Sequence, residues 1–283
     1  MDQQLRLTDL VPRRHRTFAL LACAGLAVIG VLESLHNWMP AVASMTTDGR
    51  VAAFDLEGEG SLAVWFSCAT LELASLAALM GWSIRRRTPG ADAPTVLLAA
   101  AACWLVMSVD ECASLHEAFK ELMSKSTGHR LHGDGTIWWV IGYGLVLSFV
   151  GCGVVWQMRR VPDAVLALLA TAGFYALAVL AELEWIIPNK GEAEVMLEEG
   201  CEMAGNLCLF LSMGLYARYA ARAAVDVRWD RRACERRRER VQGSGFRVQE
   251  GRRVGPASLR APAHQQAIGN RQQSKVNSNI PEP

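Results

Sequence analysis

Asp110, Glu111, His116 and Glu117 stand together in "SVDECASLHEAFKE", Ser108 to Glu121, directly after the apolar run "APTVLLAAAACWLVM". Glu33 and His36 close another apolar run in "ESLH", Glu182 and Glu184 a third in "AELEW". The segment "LEEGCEMAGN" adds Glu198, Glu199, Glu202 and Asn206. Carboxylates with imidazole ligate iron, manganese or zinc, and the same groups serve as general acids and bases. Glu33 and His36 are three apart and share a helical face, the E-x-x-H spacing of di-metal sites in helical bundles. On a continuous helix Asp110, Ser114 and Glu117 form one stripe, and the ~100° step per residue turns His116 about 120° away from it.

Burial makes these groups informative. An acid at the centre of a membrane helix costs about 2.5–3.5 kcal/mol, and several at one depth repel one another unless protonated, paired or metal-bound. Few cations accompany them. A divalent metal is therefore the expected cofactor, with Glu33, His36, Asp110, Glu111, His116, Glu182 and Glu202 as candidate ligands. Glu117 or Glu199 is the candidate general base on a metal-bound water. Glu198 and Glu199 also suit the first turn of a helix, where the macrodipole favours acids. Glu184 reads as solvated, and His129 and His132 fall in the Gly-rich loop "TGHRLHGDGT", where His132 is within reach of the site. Glu72 lies deeper, in "CATLELASL". No H-E-x-x-H, G-x-S-x-G or P-loop is present.

The elements that must carry these residues are apolar blocks of about twenty residues, the length that crosses a hydrocarbon core of ~30 Å. Six are visible: Phe18–Leu35, Ser61–Ile84, Pro94–Val109, Thr136–Met158, Ala164–Ile187 and Cys201–Ala221. They define an all-α polytopic membrane protein with six transmembrane helices. Arg13, Arg14 and Arg16, then Arg85–Arg87, Arg159–Arg160, and Arg218, Arg222 and Arg228 flank alternate ends. The positive-inside rule puts those ends, and both termini, in the cytoplasm of a bacterial-type inner (plasma) membrane. All the acidic helix ends then lie at the outer face. Similar endings on the first, third and fifth spans suggest three helical hairpins, a repeat of the kind transporters use. Glu33, His36 and Trp38 separate the first apolar run from "AVAS", which argues for an uncleaved first helix.

The sequence divides into a membrane domain, 1–225, and a tail, 226–283, that opens with the arginine-rich "DVRWDRRACERRRER". Those arginines either meet the anionic inner leaflet or prolong the last helix. From Val241 onward, Gly, Pro, Gln, Ser and Asn dominate and predict disorder. The net charge of the 283-residue chain is only +1, which excludes a nucleic-acid protein. Eight cysteines include no C-x-x-C. Cys112 and Cys201, at outer helix ends, are placed to pair in an oxidising compartment. Two activities fit: a metal-dependent membrane enzyme, hydrolase or di-iron oxidoreductase, acting on a lipid or other hydrophobic substrate, and a cation- or proton-coupled transporter. A third class, a membrane sensor or assembly factor, rests on the tail alone.

Overall fold

The computed structural model describes residues 7–12, 14–46, 51–56, 58, 60–91, 94–187 and 191–245. Among them the regular structure is all helical: α1 (His15–Ala43), α2 (Leu62–Arg86), α3 (Thr95–Ala113), α4 (Leu115–Thr127), α5 (Ile137–Met158), α6 (Pro162–Glu182) and α7 (Glu192–Gly245). Their starts follow local chemistry. Ser61 caps α2 by accepting the Val64 N–H at 3.2 Å. Pro162 opens α6, where its missing N–H costs nothing. Gly128 ends α4 in the left-handed region that favours glycine.

Helices α1, α2, α3, α5 and α6 are each long and apolar enough to cross a membrane, judged by length and composition. Their exposed residues include Leu20, Trp65, Leu145, Phe149 and Leu166. A protein surrounded by water does not leave contiguous apolar surface on this scale. The sixth apolar block, Cys201–Ala221, lies inside α7. Compact unit 1 runs to Glu235, and residues from Arg236 onward form a second unit. The arginine-rich segment continues α7 as helix to Gly245. Disorder was expected from Val241, but Val241–Gly245 are the last helical residues of α7, and the rest of that expectation falls on residues 246–283, outside the described residues.

Helix α7 is the post on which the others lean. Leu209, Met213 and Tyr216 join Leu71 and Ala74 of α2, Leu97, Ala100 and Trp104 of α3, and Val154 and Met158 of α5 in the main core. Nearer the acidic end, Met203, Ala204 and Leu207 pack with Ile29 and Leu32 of α1 and with Phe66 of α2. Small residues let these backbones approach. A Cβ on Gly25 of α1 would lie 2.6 Å from Leu207, and one on Gly214 would lie 2.8 Å from the Phe18 ring. A Cβ on Gly205 would lie 2.7 Å from the ring of Tyr175 in α6. Basic residues mark the opposite end, where Arg14, His15, Arg16, Arg218 and Arg222 line a cavity of about 370 Å³.

Candidate functional site

The site begins with a break. Asp110, Glu111 and Cys112 occupy the last turn of α3, and Ser114 follows in the left-handed region at φ 49°. A continuous helix would turn His116 away from Asp110; the break instead folds the start of α4 back over it. Asp110 Oδ1 accepts the His116 backbone N–H at 2.6 Å, and His116 Nδ1 stands 3.3 Å from both Asp110 oxygens. Tyr143 of α5 donates its hydroxyl to Asp110 Oδ2. Trp139 packs edge-on against both rings, 5.6 Å from His116 and 5.9 Å from Tyr143. Since Nδ1 faces the carboxylate, Nε2 is the ring atom turned towards Glu117 and the rim.

A rim of polar contacts continues outward from this dyad. His116 Nε2 is 3.8 Å from Glu117 Oε1. Glu117 pairs with Lys120 Nζ at 2.6 Å, and Lys120 also holds Asp134 at 2.5 Å. Thr136 Oγ1 gives its proton to Asp134 Oδ1 at 2.7 Å and lies 3.3 Å from Glu182 Oε1. The rim thus ties α3 to α4, α5 and the end of α6. Burial opposes the His116 imidazolium, but the hydrogen bond and charge of Asp110, backed by Glu117 and Glu111, outweigh it and raise its pKa above 6.5. Burial likewise works against the Asp134 carboxylate, yet the Lys120 and Thr136 hydrogen bonds bring its pKa down to about 2.

Inside the rim lie the carboxylates of the core. Ser67 of α2 hydrogen-bonds Glu111, which has the charges of His116 and Asp110 within reach. Glu202 of α7 has Glu111, Glu199, Glu198 and Glu182 within electrostatic reach. Tyr175 donates to Asn206 Oδ1 at 2.5 Å, one turn below Glu202. Glu111, Glu198, Glu199 and Glu202 are each half-buried, so the acids form a partly open cluster, the acidic crevice, rather than a group sealed in the core. Further along α7 from Glu202, Leu209 and Met213 belong with Trp104 to the apolar core.

The structure therefore gathers Asp110, Glu111, His116, Glu117, Glu182, Glu199 and Glu202 at one end of the bundle. His36 is engaged apart from them, whereas Glu33 borders the same turn of α7, with Cys201 in reach of both its charge and that of Glu202. Glu33 lies against Gly200, where a Cβ would collide with its Oε1. Buried His36 accepts the Leu56 N–H on Nδ1 at 3.2 Å, and its Nε2 stands 2.9 Å from Glu192 Oε2. That histidine fastens the α1–α2 connection and the start of α7. Among the described residues, no group of three or more His, Cys, Asp or Glu side chains is arranged to hold a metal ion. Glu117 is held by Lys120, which is buried, and so differs from a free base at the mouth. Glu198 and Glu199 are two turns into α7; the first-turn acids are Glu192 and Glu194. Glu72 is on the exposed face of α2, Glu184 is exposed, and His132 is an exposed loop residue.

Tyr143, Tyr175 and the Lys120–Asp134 pair are the parts that sequence reasoning missed. Tyrosine in an apolar helix carries no signal separating a buried donor from an interfacial ring. An all-helical bundle with five membrane-length helices and an acidic crevice at one end is the class this fold and site define. Within that class the chain belongs to the family described as Domain of unknown function (DUF8692), whose profile matches residues 18–217. The match runs from α1 into α7 and takes in every residue of the crevice. No curated protein and no solved structure matches the chain.

Proposed function

We propose that this is an integral membrane enzyme of six spans, with α7 supplying the sixth through Cys201–Ala221. In this reading both termini are cytoplasmic and the acidic crevice opens at the outer face of a bacterial-type inner membrane. Its substrate is a lipid or another hydrophobic molecule, entering from the outer leaflet. The observation that carries the reading is the His116–Asp110 dyad at the crevice mouth, in front of Glu111 and Glu202. Asp110 and Tyr143 fix the imidazole so that Nε2 takes or gives the proton at the substrate. Glu111 and Glu202 are the second acid–base station, behind the dyad. The apolar core further along α7 favours an enzyme over a carrier, because transport needs polar stations through to the other side.

A second reading keeps the metal. Glu202 has Glu111, Glu199, Glu198 and Glu182 within electrostatic reach, and a divalent iron, zinc or manganese ion would offset their repulsion as protons do. Metal analysis of detergent-purified protein separates the two. Stoichiometric metal in the wild type, lost in Glu111→Gln/Glu202→Gln and kept in Glu33→Ala/His36→Ala, establishes the metal-dependent form. For the enzyme itself, lipid extracts are compared by mass spectrometry between cells making the wild type and cells making His116→Gln or Glu202→Gln. A converted lipid species should accumulate only with the wild type. Identical lipid profiles in all three would contradict the proposal.

A further inference from the structure

Two thiols meet beside the crevice without taking part in it. Cys68 of α2 and Cys112 of α3, 44 positions apart in the chain, have their Sγ atoms 2.7 Å apart. That is shorter than a contact between two unbonded sulfurs and approaches the roughly 2.05 Å of a disulfide bond. The backbones around them are already aligned. Ser108 Oγ donates to the Cys68 carbonyl at 3.1 Å, and Cys68 Sγ donates to the Ser108 carbonyl at 3.4 Å. Cys112 is one turn beyond Ser108 and is exposed, whereas Cys68 is buried. Cys201, the partner expected for Cys112, is buried on α7 within reach of the Glu33 and Glu202 charges.

We infer that Cys68 and Cys112 form a dithiol–disulfide pair, closed by exchange with a small-molecule or protein disulfide at the acidic face. The inference rests on that face being the outer, oxidising side. Accessibility sets the order of steps. The Cys112 thiolate attacks one sulfur of the incoming disulfide, forming a mixed disulfide and expelling the other sulfur as a thiolate. The Cys68 thiolate then attacks Cys112 Sγ and expels the second half. Two protons leave the cysteines, and two electrons reduce the incoming disulfide to two thiols. The new bond fastens the last turn of α3 to α2. Asp110 and Glu111 sit in that turn, and Ser114 turns the chain immediately after it. Oxidation therefore fixes the orientation of the dyad, and reduction leaves the end of α3 held by the Ser108 contacts.

The test uses the full-length protein from oxidised membranes. Free thiols are blocked under denaturing conditions, the protein is reduced, and a mass-adding maleimide is applied. Wild type and Cys201→Ser should each take two tags, and Cys68→Ser and Cys112→Ser none. Peptide mapping of unreduced wild type, which needs no variant, should find one linked pair joining Cys68 to Cys112. No tag on the wild type overturns the pairing, as does a linked Cys112–Cys201 peptide. Orientation is read separately, with a membrane-impermeant maleimide on reduced cells. Cys112 labelled from outside, with no linked peptide in the oxidised sample, sinks the pairing and leaves the orientation standing.

Discussion

At the scale of single residues, His116 converts geometry into pH dependence. Its folded pKa lies above the ordinary 6.5, so the stability it adds is complete below pH 6.5 and is lost as pH rises through the folded value. Thermal unfolding of wild type and His116→Gln, compared from pH 6.5 upward, should show the wild-type advantage shrinking. A constant difference would mean that folding leaves the His116 pKa unchanged and would contradict the raised value. The carboxylates around it were readable from sequence, because acids inside apolar runs are conspicuous and helix periodicity fixes their depth. The contact between His116 and Asp110 was not. It depends on a serine in the left-handed region, which a side chain with a Cβ adopts only when its surroundings hold it there.

At the scale of elements, α7 positions the site and α4 closes it. Five of the six apolar blocks correspond to separate membrane-length helices because length and composition alone fix them. Helix α4 escaped notice because "ECASLHEAFKE" contains neither glycine nor proline to mark the break after α3. It buries Lys120 and Ser124 while exposing Leu115, Phe119 and Leu122, the arrangement of a helix lying in a membrane interface with its polar side on the protein. The seat for Tyr175 on α7 is exact enough to test. Gly205→Ala puts a methyl 2.7 Å from that ring and should cost about 1–3 kcal/mol by overpacking. Its effect on the thermal midpoint should exceed that of Gly144→Ala, where a Cβ meets nothing within 4 Å; equal midpoints would contradict the packing. Glu194 gives the opposite expectation. Both its oxygens are buried in the first turn of α7 without a hydrogen-bond partner among the described residues. Glu194→Met should therefore leave the midpoint unchanged or raise it, since apolar side chains of similar size replace buried charge at no loss. A large fall would show that Glu194 binds something.

At the scale of the whole molecule, the two ends of the bundle differ in kind. One end gathers Arg14, His15, Arg16, Arg218 and Arg222 around a cavity, the charge expected beside an anionic inner leaflet. The other gathers carboxylates behind a single histidine, with apolar core between the two. This polarity was legible in the sequence, since the arginines and acids alternate along the chain with the apolar blocks. Which groups act together was not, because depth along a helix does not say which side chains meet: Glu33 lies against Gly200 of α7, while His36 is taken up by Leu56 and Glu192. The account stands on His116, Asp110 and Glu111 behaving as one coupled acid–base site. The direct measurement is a ¹⁵N NMR titration of the His116 ring in wild type, Glu111→Gln and Asp110→Asn protein. Coupling predicts a wild-type pKa above 6.5, a lower value in Glu111→Gln, and the lowest in Asp110→Asn, which loses both hydrogen bond and charge. The same pKa in all three proteins would contradict it.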